Sequence, residues 1–149
     1  MKANIFSPGN SRKINPNWFT GPVNMKDVSS LIGSTNHDIY HVYFKNHSRT
    51  KLHSHNGDQI LIAISGNGSM DTFAKSGKSK SEFKIKKTST TRLNPGDMVF
   101  IKKGTLHTHG AISKKTFSHI AINIIPARSK KYNTIWYESD FARTVSGIV

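Results

Sequence analysis

The chain of 149 residues contains no cysteine. It therefore cannot form a disulfide framework or hold a metal through thiolates, and any metal site must use nitrogen and oxygen atoms. The absence of disulfides fits a reducing compartment, so we expect a cytoplasmic location. No apolar run approaches the roughly 20 residues of a membrane span, and residues 1–21 lack the apolar core of a signal peptide. We expect no membrane partner.

Acidic residues are also scarce, and the net charge is +14, from 22 lysines and arginines against eight aspartates and glutamates. Such a charge could attract nucleic acid or another polyanion. One basic segment, residues 75–92, contains Lys75, Lys78, Lys80, Lys84, Lys86, Lys87 and Arg92. Aromatics do not alternate with these cations as on a face that binds single strands. We interpret them as solvated hairpin edges, and nucleic acid is not the expected partner.

Helical periodicity is almost absent from the sequence. Short β-branched and aromatic runs, separated by Gly, Asn, Pro and Ser, are typical of an all-β protein. Strands are predicted at residues 39–44, 59–64, 69–73, 82–86, 97–101 and 117–125. Many short strands at close spacing predict a sandwich or a closed barrel. The length suits one domain, residues 1–149, with its own core.

Histidines supply the most specific pattern. His53 and His55 stand two residues apart on a predicted strand, so both rings face one interior, about 7 Å apart along the strand. A turn at residues 56–58 lets Gln59 swing back toward the same point, and His107 is the candidate from a neighbouring strand. Three neutral imidazoles and an amide oxygen suit Mn, Fe, Co, Ni or Zn. Without a carboxylate ligand, a bound cation would keep its full charge and attract an anionic ligand.

These residues resemble the two conserved motifs of the cupin family. The first motif is matched by His53, His55, Gln59 and Gly66, and the second by Pro95, Gly96, Asp97, Gly104 and His107. Gln59 stands where the family usually has Glu, and Asn46 or His47 stands near the position of a leading Gly. The resemblance covers roughly residues 40–125. It implies a jelly-roll β-barrel of two antiparallel sheets, with short N- and C-terminal extensions, and a homodimer or homotetramer.

The glutamine at the ligand position narrows the resemblance. Together with residues 107–111 and 118–122, it is similar to small single-domain cupins related to the cupin regions found beside carboxymuconolactone decarboxylase-like proteins. Residues 17–23 resemble the strand that opens those proteins. Manganese-dependent hydroxynitrile lyases belong to this subgroup, so the resemblance implies manganese more than other metals.

The resemblance also implies roles for individual residues. The implied metal ligands are His53, His55, Gln59 and His107. His119 matches a candidate general base and Thr50 a threonine near the metal. Asn123 stands in place of a longer glutamine that orients substrate. His109 either lines the cavity or hydrogen-bonds across strands.

Three functions follow as expectations. The leading one is a metal-dependent lyase of the hydroxynitrile-cleaving type, acting on a small-molecule substrate. The alternatives are an Fe(II) dioxygenase and a non-catalytic small-molecule-binding protein.

The aromatic residues near the C-terminus, Trp136, Tyr137 and Phe141, are expected to cap the barrel or to fill a subunit contact.

Overall fold

Twelve β-strands dominate the computed structural model, which describes all residues from Met1 to Val149. They are β1 Asn10–Ser11, β2 Val23–Asp27, β3 His37–Phe44, β4 Leu52–His55, β5 Gln59–Gly66, β6 Gly68–Ser76, β7 Phe83–Leu93, β8 Met98–Ile101, β9 Leu106–Ala111, β10 Phe117–Ile124, β11 Thr134–Ser139 and β12 Thr144–Ile148. The two helices, Pro16–Trp18 and Ser30–Ile32, are single 3₁₀ turns. Neither they nor any other segment forms a helix that could cross a membrane.

The strands form two antiparallel sheets of six strands each. The first sheet has the order β1-β2-β3-β10-β5-β8, and the second has the order β11-β12-β7-β6-β9-β4. Strand β4 also pairs with β11, so the second sheet closes on itself. The all-β fold and the two antiparallel sheets predicted from the sequence are confirmed.

The second sheet buries apolar side chains on one face and histidines on the other. Side chains alternate along a strand, so Leu52 and Leu106 point away from His53 and His107. The two leucines pack in a cluster with Phe73, Phe83, Ile85, Tyr137 and Val145. All six residues of β9 are buried, because this strand is covered on both faces. The histidines therefore face an interior from which water is largely excluded.

The C-terminal residues contribute more than the sequence predicted. Strands β11 and β12 complete the second sheet, and Tyr137 lies in its apolar cluster. These two strands were not predicted from the sequence, because the polar and apolar residues of β11 do not alternate regularly. Strand β7 likewise extends to Leu93, beyond the predicted 82–86, because its polar Thr and Ser residues pair with β6.

Gly66 illustrates how tightly the hairpin between β5 and β6 packs. Its φ is +74°, and a Cβ placed there would lie only 2.1 Å from the carbonyl oxygen of Thr116. Gly96 also has a positive φ, +94°, but a Cβ there would meet nothing within 4 Å. The two positions thus separate the backbone requirement for glycine from the packing requirement.

We predict that Gly66→Ala lowers the free energy of unfolding by about 3 kcal/mol or more, from left-handed strain of about 1–2 kcal/mol plus overpacking of about 1–3 kcal/mol. Gly96→Ala should cost only about 1–2 kcal/mol, because it adds the strain without the clash. Urea denaturation of both variants measures the difference. Equal losses would contradict this account of the hairpin.

Candidate metal centre

Strands β4 and β9 bring three histidines together. His53 lies directly opposite His107 in the ladder, and their ring centroids are 4.1 Å apart. His55 completes the group, in which candidate ligand atoms of all three rings lie within 4.8 Å of one another. All three side chains are buried. The predicted three-histidine cluster is therefore present and is compatible with a divalent metal.

Hydrogen bonds on the far side of each ring fix which nitrogen faces the centre. His53 Nδ1 donates to the carbonyl of Lys51 and His107 Nδ1 to the carbonyl of Thr105, both at 2.8 Å. Because a carbonyl only accepts, each Nδ1 carries the hydrogen and each Nε2 keeps its lone pair. The Nε2 atoms of His55 and His107 are buried and have no hydrogen-bond partner. Such an outer hydrogen bond with a bare inner nitrogen is the usual arrangement of metal-binding histidines.

Gln59 begins β5 in the first sheet and faces the same interior. Its Nε2 donates to Asn123 Oδ1 at 2.8 Å, while its Oε1 is buried without a partner. Asn123 lies opposite Gln59 in the ladder between β10 and β5. This bond holds the amide in one orientation, with the oxygen left free for another group.

A second pair of buried histidines lies beside the first group. His119 Nε2 and His109 Nδ1 share a hydrogen bond of 3.1 Å, and the His109 ring is 5.3 Å from that of His53. Thr50 Oγ accepts the backbone N–H of His109 at 2.9 Å. Since that bond uses a lone pair, the hydroxyl proton of Thr50 is free to be donated elsewhere.

A cavity of about 60 Å³ joins these residues. Its polar lining consists of Arg12, Tyr40, Thr50, His53, His55, Gln59, His109, His119, Asn123, Thr134 and Trp136. The site residues predicted from the sequence all line it except His107, whose ring centroid is 4.1 Å from that of His53.

Trp136 is a wall of the site that sequence reasoning missed. Its ring stacks on His53 with centroids 4.4 Å apart, and Trp18 stacks on its other face at 5.2 Å. The strand that carries Trp136 pairs with β4, where Trp136 lies opposite His53. A run of aromatics near the C-terminus was visible in the sequence, but its pairing with the histidine strand was not.

Burial makes every histidine of the site hard to protonate. It lowers the pKa of His55 to about 3, of His107 to about 4 and of His119 to about 3, chiefly through desolvation. Desolvation, with neighbouring histidines adding to it, also holds the pKa of His53 and of His109 well below 6.5. All five rings are therefore neutral at neutral pH, the form in which imidazole binds metals.

Comparison with known proteins finds related structures but no matching sequence family. No protein-family model and no curated protein matches the chain. A cupin-like protein of Thermotoga maritima is 30% identical, with a TM-score of 0.65, over 92% of this chain and 90% of its own. A predicted oxalate decarboxylase of the same organism is 18% identical, with a TM-score of 0.58, over 83% of this chain and 98% of its own. Bacillus subtilis oxalate decarboxylase, an enzyme described with Mn(II) centres, is 19% identical, with a TM-score of 0.56, over 76% of this chain and 27% of its own.

The depressed pKa values predict that metal-free protein loses stability in mild acid. Histidine in the unfolded chain titrates near 6.5, so below that pH the unfolded state binds protons that the folded state refuses. Each buried histidine should then remove up to about 1.4 kcal/mol per pH unit, until the pH reaches its folded pKa. Urea denaturation of EDTA-treated protein at about pH 7.5 and about pH 5.5 measures the loss.

The matched control is His47→Asn, which removes an exposed histidine that no buried site depends on. Its loss of stability on acidification should equal that of the unchanged protein, whereas His119→Gln should lose less. An identical pH dependence in His119→Gln would show that this ring is not protected from protons.

Proposed function

The chain belongs to the cupin family, and on that premise we propose that it is a metal-dependent lyase. His53, His55, Gln59 and His107 would hold one divalent cation. The observation that carries this proposal is the set of buried, unpartnered atoms at the centre: Nε2 of His55, Nε2 of His107 and Oε1 of Gln59. Leaving such atoms unpaired costs about 1–3 kcal/mol each, and a cation would satisfy them together.

Manganese is the metal to test first, although Fe, Co, Ni and Zn also accept three imidazoles and an amide oxygen. Mn(II) centres are described for Bacillus subtilis oxalate decarboxylase, which shares this fold. When bound, such a cation supplies Lewis acidity and stabilises negative charge that develops on a substrate oxygen. The site has no carboxylate ligand, so that charge is not reduced by the protein.

The reaction we propose is carbon–carbon cleavage of a 2-hydroxynitrile or a similar hydroxylated compound. The hydroxyl proton passes to the His109–His119 pair, the bond to the nitrile carbon breaks, and its electrons leave with cyanide; because burial keeps the pKa of both rings low, the pair holds the proton only transiently. The pair then returns the proton, so the products are a carbonyl compound and hydrogen cyanide. The hydrogen bond between the two rings supports this role, because a proton taken up by His109 can be shared with His119.

Thr50 and the aromatic walls would position the substrate. The free hydroxyl proton of Thr50 can be donated to a substrate oxygen, because the backbone of His109 holds the Oγ atom in place. Trp136 and Phe44 lie against His53 and against the His109–His119 pair, respectively, and exclude water. The cavity is small, about 60 Å³, so the larger part of a substrate would extend toward its mouth.

We predict that EDTA-treated protein binds one manganese ion per chain in calorimetric titration with MnCl₂. His53→Asn should abolish binding, and Gln59→Leu should weaken it by about 10- to 100-fold, because the amide oxygen is lost. His47→Asn, which removes a histidine outside the cluster, should bind as the unchanged protein does. Full affinity in His53→Asn would place the metal at another site.

We predict that manganese-loaded protein releases benzaldehyde from mandelonitrile, monitored by absorbance. His119→Gln should lower the rate by about 100-fold or more, the usual contribution of a general base. His53→Asn should show only the background rate, and His47→Asn the full rate. No release above the His53→Asn background would refute the hydroxynitrile reaction.

Oxygen uptake separates this proposal from a dioxygenase. The cavity of about 60 Å³ also has room for dioxygen, and three histidines with open positions can serve Fe(II). Rapid oxygen consumption by Fe(II)-loaded protein with a candidate substrate, absent in His53→Asn, would favour the dioxygenase. Protein that binds no metal at all would leave a small-molecule-binding module.

A further inference from the structure

A groove of about 630 Å³ lies on the outer surface beside the metal cavity, along β2 and the end of β3. Three cations, Arg12, Lys26 and Lys45, line it together with the apolar side chains of Ile14, Val23 and Met25. No acidic residue is among its lining residues. The groove thus offers positive charge next to an apolar wall.

The three cations are not neutralised by ion pairs. The salt bridges of the protein join Asp71 and Glu138 to Arg49, Lys51 and Lys87, and none involves the groove. Lys26 Nζ donates to the carbonyls of Ile5 and Ser7, at 3.1 and 3.0 Å, which leaves its charge and one proton unused.

Arg12 is likewise held by uncharged groups. Its guanidinium lies 4.5 Å from the centroid of the Tyr40 ring and donates to Met25 Sδ at 3.3 Å. The carboxyl of Asp38 is near enough for Arg12 to oppose the rise in its pKa that burial causes, but the two groups form no salt bridge. The Arg12 charge therefore remains available to a ligand.

Arg12 and Met25 line both the groove and the metal cavity, so the two spaces are adjacent and have these side chains as a common wall. The inner space admits only a small group, whereas the outer one is about ten times larger. A compound with a small reactive end and a larger body could occupy both. The cations and the apolar wall specify the chemistry of that body.

We propose that the groove binds the carboxylate-bearing, apolar body of an organic acid, with Arg12 contacting the carboxylate at the junction with the metal cavity. On the proposed reaction, the substrate class is then a hydroxylated organic acid, of which neutral mandelonitrile is an analogue that lacks the carboxylate. This identification of the substrate rests on the proposed function, but binding of the acid in the groove needs no metal.

Calorimetric titration of metal-free protein with phenylacetate tests the proposal. Phenethyl alcohol, which replaces the carboxylate by a neutral group, should bind at least about tenfold more weakly, as expected for loss of a charge-assisted hydrogen bond. Inorganic sulfate should also bind more weakly, because it cannot use the apolar wall. Equal affinity for phenylacetate and either comparison compound would overturn the proposal.

Variants locate the binding. Arg12→Gln should raise the Kd of phenylacetate by about tenfold and Lys45→Gln by about threefold, since each removes one of the cations at the groove. Lys86→Gln removes the same charge from an exposed position on β7 and should leave the Kd unchanged. Equal effects of all three variants would mean that net charge, and not the groove, attracts the anion.

The manganese titration distinguishes a failure of the groove proposal from a failure of the lyase proposal. Protein that binds phenylacetate through Arg12 but takes up no manganese would support the groove and refute the lyase. Protein that takes up manganese and is indifferent to Arg12→Gln in phenylacetate binding would refute the groove and leave the metal centre intact.

Discussion

The pairing of His53 with His107 across β4 and β9 is the contact on which the site depends. It is the single residue pair of the ladder between these strands, and backbone hydrogen bonds on either side of it, from Gly104 to His55 and from Thr50 to His109, hold the two histidines in register. Strand β4 is also supported from its other edge by β11, along four residue pairs that include Trp136 opposite His53. The closure of the second sheet by the C-terminal strands therefore also positions the strand that carries His53 and His55.

Buried polar atoms without hydrogen-bond partners at the same site lower the stability of the fold. The buried polar atoms without a partner are Nε2 of His41, His55 and His107, Nδ1 of His119 and Oε1 of Gln59, and four of these five belong to the site. Atoms left unpaired in a low-dielectric interior weaken the native state, and natural proteins keep them where they serve a function. A cation that binds only the folded chain would offset part of this cost and couple metal binding to stability.

Sequence reasoning identified the histidine cluster because its evidence is local. The alternation of His53 and His55 follows from the strand period, and the cupin motifs placed Gln59 and His107 beside them. Other features depend on which strands are neighbours. The bond between Asn123 and Gln59 and the stacking of Trp136 on His53 join strands far apart in sequence, and the bond between His119 and His109 joins successive strands that belong to different sheets. Strand register is set by the whole sheet, so no spacing in the sequence reveals these contacts.

The scarcity of acidic residues also affects the electrostatic field at the site. A site that lacks a ligand carboxylate leaves the charge of a bound cation uncompensated, and Arg12 adds a further positive charge at the mouth of the cavity. A neutral substrate would gain little from this field, whereas an anion would be drawn in and held. The excess of lysine and arginine over the whole surface acts over longer distances and is screened by salt beyond about 10 Å. On our proposal of an anionic substrate, its selection would therefore come from the few charges at the cavity, and the +14 charge as a whole would only raise the rate of encounter.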